Sequence, residues 1–392
     1  MPSRRALLTA LGTATSAGMA GCVGQVRHAL EDDPPVEGPC DEPAGTWPTA
    51  GGNPGRTGRA DTAPPAPDAD VVDLLAGVRD NGRQRLASSL PAVADGTAYL
   101  PVSGGLVAVA LDAPADGPIW SHDLEDDVNA VPALACGVVL ALGLNRLAAL
   151  DPESGEKYWR ADVGSHSKTA VASIDDTTYV AGVNPVAVDT RTGTIQWSAE
   201  GGDTLALDDG GVYTTRNANG TGGIFAHDLN GEERWHLSLG KIVGSASVLD
   251  GTVWVADNHG TVYAIDALTG ETYWSRSPTG VGKIHSGLAV TGDDVIVPAG
   301  VGTTSVALDA TTGETRWAVD TGIVTGRPVV GDDWVAFGRT NSGVTLYDRS
   351  TGEQRTTWSR SEYDLGTIDS LVAVEEGFVI REGTTSGLSL LR

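Results

Sequence analysis

Apolar and polar positions alternate along this chain in short runs, and turn residues interrupt them every few positions. In Ala264-Ile265-Asp266, together with the preceding Tyr263, Tyr263 and Ile265 alternate with small or polar residues. That is the period of a half-buried strand. Asp266 opens a turn, because its carboxylate can accept from the backbone two residues on, and Gly270 supplies the positive φ a tight hairpin needs. A second strand follows and carries Trp274. The stretch recurs as Ala149, Asp151, Gly155 and Trp159, as Ala187, Asp189, Gly193 and Trp197, and as Ala307, Asp309, Gly313 and Trp317. Three copies bend the spacing: Ala110, Asp112, Gly117 and Trp120; Ala226, Asp228, Gly231 and Trp235; and Leu346, Asp348, Gly352 and Trp358.

The seven tryptophans stand at 120, 159, 197, 235, 274, 317 and 358. A near-constant step of about 40 residues with strand-like content means an array of one supersecondary unit. The fifth unit offers four strands, at Ser245–Leu249, Thr252–Ala256, Thr261–Asp266 and Glu271–Ser277. Four antiparallel strands joined by short turns make a propeller blade.

The Ala, Asp, Gly and Trp positions resemble those of the quinoprotein-type (PQQ-like) repeat propellers, over about residues 67–392. The resemblance implies that each outer-strand Trp docks on the neighbouring blade beside the small Ala. An indole buries on the order of 200 Å², so these seven act as staples between blades. Complete units cover about 88–124, 128–163, 167–200, 202–239, 244–278, 284–320 and 324–361. Residues 368–391 hold three further strands and no Trp, and residues 69–78 hold one strand before the first unit. The expected fold is therefore all-β: an eight-bladed propeller of four-stranded antiparallel blades, closed by pairing residues near 70–78 with residues near 387–391. Closure removes exposed edges. The alternative is seven blades with the first strand as an outer extra.

The chain begins with Arg4-Arg5, an apolar run rich in small residues, and Ala20-Gly21-Cys22. Paired Arg before an apolar stretch is a twin-arginine export signal. Ala-Gly-Cys resembles a lipobox, which would make Cys22 the lipid-modified N-terminus. The expected organisation is a signal region at 1–22, an acidic Pro/Gly-rich tether at 23–66, and the propeller at 67–392. Residues 23–66 are rich in Pro and acid without apolar periodicity, as in a solvated tether. Inside it, Trp47-Pro48 through Arg56-Thr57-Gly58 is similar to the segment that precedes the first strand in PQQ-like repeat proteins. That resemblance implies order against the propeller.

Asp and Glu total 51 against 26 Lys and Arg, a formal charge of −25. Only Lys157, Lys168, Lys241 and Lys283 are lysines. This is the pattern of halophilic archaea, where salt screens self-repulsion. A polyanion would be repelled, so nucleic acid is excluded as partner. The expected location is the outer face of the cytoplasmic membrane, held by the lipid alone.

With Cys22 lipidated, Cys40 and Cys136 remain. Two cysteines make no framework. A bridge is open to them outside the cell, and the expectation is two free thiols.

No catalytic constellation stands out. No two cysteines are adjacent, as they are in soluble methanol-oxidising quinoproteins, and no repeat carries the long insertions that build a quinone pocket. Asp257-Asn258-His259-Gly260 reads as an ordinary turn. The pairs Asp126-Asp127, Asp293-Asp294 and Asp332-Asp333 read as surface turns. The seven His lack metal-ligand spacing. Neither a metal nor a cofactor is expected, PQQ included. Three of the four Lys, at 168, 241 and 283, fall with His166, His285 and Arg327 in connectors that run from one blade's outer strand to the next blade's inner strand. Such bases would form a cationic funnel mouth for an anion, or pair with Asp126, Asp203, Asp320 and Asp364. Three functions follow: a monomeric, non-catalytic scaffold for an unidentified protein or glycan; a PQQ-dependent oxidoreductase; or a receptor for an anionic solute or polysaccharide.

Overall fold

The computed structural model describes Val36, Cys40 and residues 47–392, except 81–82, 85–88, 125–127, 129, 165–169, 219–220, 342 and 384–386. Cys22, His166 and Lys168 lie outside the described residues.

Eight four-stranded antiparallel sheets follow one another in chain order. Blade one spans Ala92–Ala94 to Trp120–Asp123, and blade two Ala133–Ala135 to Lys157–Asp162. Blade three runs from Val171–Ile174 to Ile195–Ser198, and blade four from Thr204–Asp208 to Glu233–Leu239. Blade five holds Ile242–Leu249, Thr252–Asp257, Val262–Asp266 and Thr272–Arg276. Blades six and seven run from Ala289–Val290 to Thr315–Asp320 and from Val329–Val330 to Gln354–Trp358. Blade eight takes Ile368–Val374, Gly377–Glu382 and Leu388–Leu391 from the C-terminus and Val71–Asp73 from the start. Val71 pairs with Leu391 and Asp73 with Ser389, so the ring is closed by chain ends as the repeat arithmetic required. Among the described residues no helix is long and apolar enough to cross a membrane.

The apolar core lies between blades. One cluster joins Trp254, Ala264 and Trp274 of blade five to Val290, Val295 and Leu308 of blade six. Another joins blades seven, eight and one through Trp334, Phe378 and Val109. The outer-strand tryptophans reach across to the neighbouring blade. Trp274 is buried, and its Nε1 donates to the carbonyl of Ala310 in the next blade at 3.0 Å. Trp120, Trp159, Trp197, Trp235 and Trp317 donate likewise to Pro152, Thr190, Leu229, Ala267 and Arg349. Trp358 faces blade eight and donates to Ala66, just before that blade's N-terminal strand Val71–Asp73. Removing an indole's area from water stabilises by at most about 5 kcal/mol each.

The Asp begins the turn as expected. Asp266 Oδ1 accepts from the backbone of Leu268 and Thr269, and Gly270 has φ +76. In five blades the Ala stands opposite the Trp within its own sheet, as Ala264 does Trp274. Two bent copies differ. Ala108, not Ala110, faces Trp120, and Val344, not Leu346, faces Trp358, because altered turn lengths move the register.

Two further expectations are overturned. Cys40 and Cys136 are not free thiols but a disulfide, closing a sequence separation of 96 residues. Cys136 is reachable because it occupies the hairpin between the first two strands of blade two, with φ +51. Asp294 is no surface turn residue: it is buried and bridges Arg316 of its own blade at 2.9 Å and Arg349 of blade seven at 3.0 Å.

Candidate functional site: the ring axis and its two faces

The first strands of successive blades touch around the axis. Two faces result. One carries the hairpins between first and second strands. The other carries the connectors from each outer strand to the next inner strand, together with the second-to-third-strand loops.

Residues 47–60 run around the axis on the hairpin side and bond the first strand of seven blades in turn. Trp47 and Val93 of blade one exchange backbone hydrogen bonds at 3.0 Å. Leu134 of blade two donates to Pro48 at 2.9 Å, and Thr49 Oγ1 donates to Val171 of blade three at 2.8 Å. Leu207, Val248, Val290 and Val330, of blades four to seven, donate to Pro54, Gly55, Thr57 and Gly58. The sequence explains the path. Asn53 caps the turn by accepting from Thr57 N and donating to Thr57 Oγ1. A Cβ at residue 55 would meet the Val248 carbonyl at 2.4 Å, so only Gly lets the two backbones approach. The segment therefore closes the axis at the hairpin end.

Beside it lies a recess of about 740 Å³ lined by Pro48, Pro54, Ile174, Leu207 and Val248, and by Asp175, Asp208, Asp209 and Asp250. Burial holds the Asp208 carboxyl above its usual range, although Gly210 N, Gly211 N and Tyr213 Oη donate to it. Cys40 lines the same recess, so the disulfide brings the N-terminal chain onto this face.

On the connector face, Lys241, Lys283 and His285 are exposed, and among the described residues none of them forms an ion pair. Arg327 leaves that set. It turns into the axis and donates to Ser245 Oγ, Ser247 Oγ and the carbonyls of Arg56 and Leu288. Sequence reasoning missed a second feature of this face. Leu144, Val183, Val301 and Ile323 are 43–63% exposed, all in second-to-third-strand loops or a connector. Their scattered positions in the repeats gave no signal before the loops were assigned to one face.

Asp257-Asn258-His259-Gly260 is a turn, with Asp257 Oδ1 accepting from His259 N and Thr261 N. Among the described residues no group of three or more His, Cys, Asp or Glu could share a metal ion. The axial cavity that Arg327 lines measures about 150 Å³, room for roughly five waters.

The fold defines an eight-bladed, PQQ-type β-propeller. Residues 103–215 and 220–385 match the family model described as outer membrane protein assembly factor BamB, and the chain belongs to that family. Among curated proteins, it is 30% identical over 166 residues to the serine/threonine-protein kinase AfsK of Streptomyces griseus, covering 36% of this chain and 20% of that one. It is 28% identical over 154 residues to the assembly factor BamB of Burkholderia pseudomallei, covering 36% of this chain and 40% of that one. The chain thus spans well under two thirds of either relative. Among solved structures, BamB from Moraxella catarrhalis superposes with a TM-score of 0.61 at 18% identity, over 82% of this chain and 96% of that one. The quinohemoprotein alcohol dehydrogenase of Comamonas testosteroni does so with a TM-score of 0.63 at 16% identity, over 88% and 78%. At these identities the likeness is one of fold.

Proposed function

We propose that this chain is a non-catalytic, protein-binding propeller carried outside the cell on a lipid at Cys22, with its connector face as the docking surface. The observation that carries the reading is the opposition of the two faces. The disulfide at Cys40 and Cys136 ties the incoming chain to the hairpin face. The far face presents exposed Leu144, Val183, Val301 and Ile323 beside Lys241 and Lys283. Exposed apolar groups interspersed with unpaired cations suit a protein partner that offers apolar and acidic side chains. A disulfide persists in oxidising surroundings, which supports an exported location. The family model's description as an assembly factor agrees with work done on other proteins.

Photo-crosslinking in the native cell tests it. A crosslinker at Leu144 or Val301 captures a discrete protein, and one at Asp250 on the hairpin face does not. Equal capture from both faces, or none from the connector face, removes the assignment. The unpaired Lys241 and Lys283 also favour a second reading, a receptor for an anionic solute or polysaccharide. Lys241→Glu with Lys283→Glu would then abolish polysaccharide retention on the purified protein. The oxidoreductase reading is separated by incubation with PQQ and Ca²⁺: dye reduction by alcohols or sugars above the blank overturns the non-catalytic reading.

A further inference from the structure

Two arginines meet at the ring axis, and among the described residues no carboxylate lies between them. Arg56 comes from the axial segment and Arg327 from the connector between blades six and seven. Arg56 is 7% exposed, and its Nε and Nη2 are buried without a hydrogen-bond partner. These are the two nitrogens a guanidinium offers side-on to a single two-oxygen acceptor. The Nε1 of Trp47 is likewise buried and unpartnered. Trp47, Arg56 and Arg327 all line the cavity of about 150 Å³, and among the described residues no Asp or Glu lines it.

We propose that this cavity is a binding site for one small oxyanion, of the size and chemistry of sulfate, phosphate or acetate. Arg56 grips it with Nε and Nη2, Trp47 Nε1 offers a further donor, and Arg327 supplies a second positive charge. Arg327 is held in place by neutral acceptors alone: Ser245, Ser247 and the carbonyls of Arg56 and Leu288. Burial lowers the Arg56 guanidinium to about 10, and burial with the charge of Arg56 lowers Arg327 to about 9, so both remain cationic at neutral pH. Two buried like charges without a counterion are costly, and donors without acceptors add to that cost. A bound oxyanion removes both defects at once. Arg56 also holds φ +53, a backbone conformation that bulky side chains avoid and that surrounding contacts must impose.

Equilibrium dialysis of the full chain with labelled sulfate, and separately with labelled phosphate, tests the site. The expected result is close to one anion retained per chain, with Arg56→Met weakening retention at least about tenfold. Trp47→Phe, which keeps the ring and removes the donor, weakens it by about three- to tenfold. Arg59→Met, at an exposed neighbour, leaves it unchanged. Should Arg56→Met fail to fold, wild-type stoichiometry and the Trp47→Phe comparison still decide. Retention of neither anion by the wild type, or retention by the Arg56→Met and Trp47→Phe variants equal to that of the wild type, overturns the proposal.

Discussion

The indole of Trp274 occupies the space a side chain at residue 313 would need. A methyl group placed on Gly313 would come within 2.8 Å of Trp274 Cδ2 and Cε3. The same holds for Gly155 with Trp120, Gly193 with Trp159, Gly231 with Trp197, Gly270 with Trp235 and Gly352 with Trp317. In six of the seven repeats the Gly is thus the seat for the preceding blade's Trp as well as a turn residue; Gly117 follows a blade without a repeat Trp and meets no indole.

This relationship predicts a difference between two glycines of nearly equal φ. Gly313 has φ +70 and Gly251 has φ +73, but a methyl at Gly251 meets nothing within 4 Å. Gly251→Ala should cost about 1 kcal/mol, the backbone term alone. Gly313→Ala should cost about 2–4 kcal/mol, because the indole must also shift. Trp274→Ala should cost about 3–5 kcal/mol. Urea denaturation of the three variants measures this. Equal losses for the two glycine variants would refute the seating role.

Much of this was legible in the chain, for a physical reason. Seating one indole in the next blade imposes the same residues on seven of the eight blades, so the constraint repeats and can be counted. What did not repeat was hidden. The register at Trp120 and Trp358 depends on turn lengths that only those blades have. Arg56 and Arg327 are 271 residues apart and meet only because the ring brings distant connectors to one axis. Asp294 read as one acidic turn residue among many, and only the approach of Arg349 from blade seven makes it an inter-blade ion pair.

The disulfide was illegible for the same reason, and it makes a second prediction. Joining residues 96 apart restricts the unfolded chain strongly. Reduction should therefore destabilise the propeller by about 2–5 kcal/mol and lower its melting temperature by several degrees. Scanning calorimetry with and without reductant reads the shift. Cys40→Ser and Cys136→Ser should each reproduce it and remove the response to reductant.

The repeat carboxylates predict a pH dependence. The Tyr273 hydroxyl, then the backbone and hydroxyl of Thr269, hold the Asp266 carboxyl down at about 2. Arg316, then Thr312, hold Asp309 at about 2, and Ser350 with Arg355 lowers Asp348 as well. A carboxyl with a depressed folded-state pKa contributes stability that is complete above its unfolded value near 4 and is lost as pH falls through the folded value. The window is therefore about pH 4 to 2. In Asp266→Asn, Asp309→Asn and Asp348→Asn combined, stability should be lower at neutral pH and fall less steeply across that window. A variant curve parallel to the wild type would show that these bonds contribute nothing in solution.

The last prediction concerns the axial segment. Residues 47–60 give backbone or side-chain hydrogen bonds to the first strands of blades one to seven, and each net bond contributes on the order of 1 kcal/mol. They also bury Trp47 against Val93, Trp334 and Leu371, in the cluster that joins blades seven, eight and one. A chain beginning at residue 47 loses the disulfide but keeps the ring of bonds. A chain beginning at residue 67 loses both, together with the Ala66 carbonyl that receives Trp358. The first should melt near the reduced full-length protein. The second should melt well below it, and hydrogen exchange should rise first at Val248, Val290 and Val330, whose amides bond the segment in the intact chain. If both truncations melt together, the segment covers the axis without holding the blades in place.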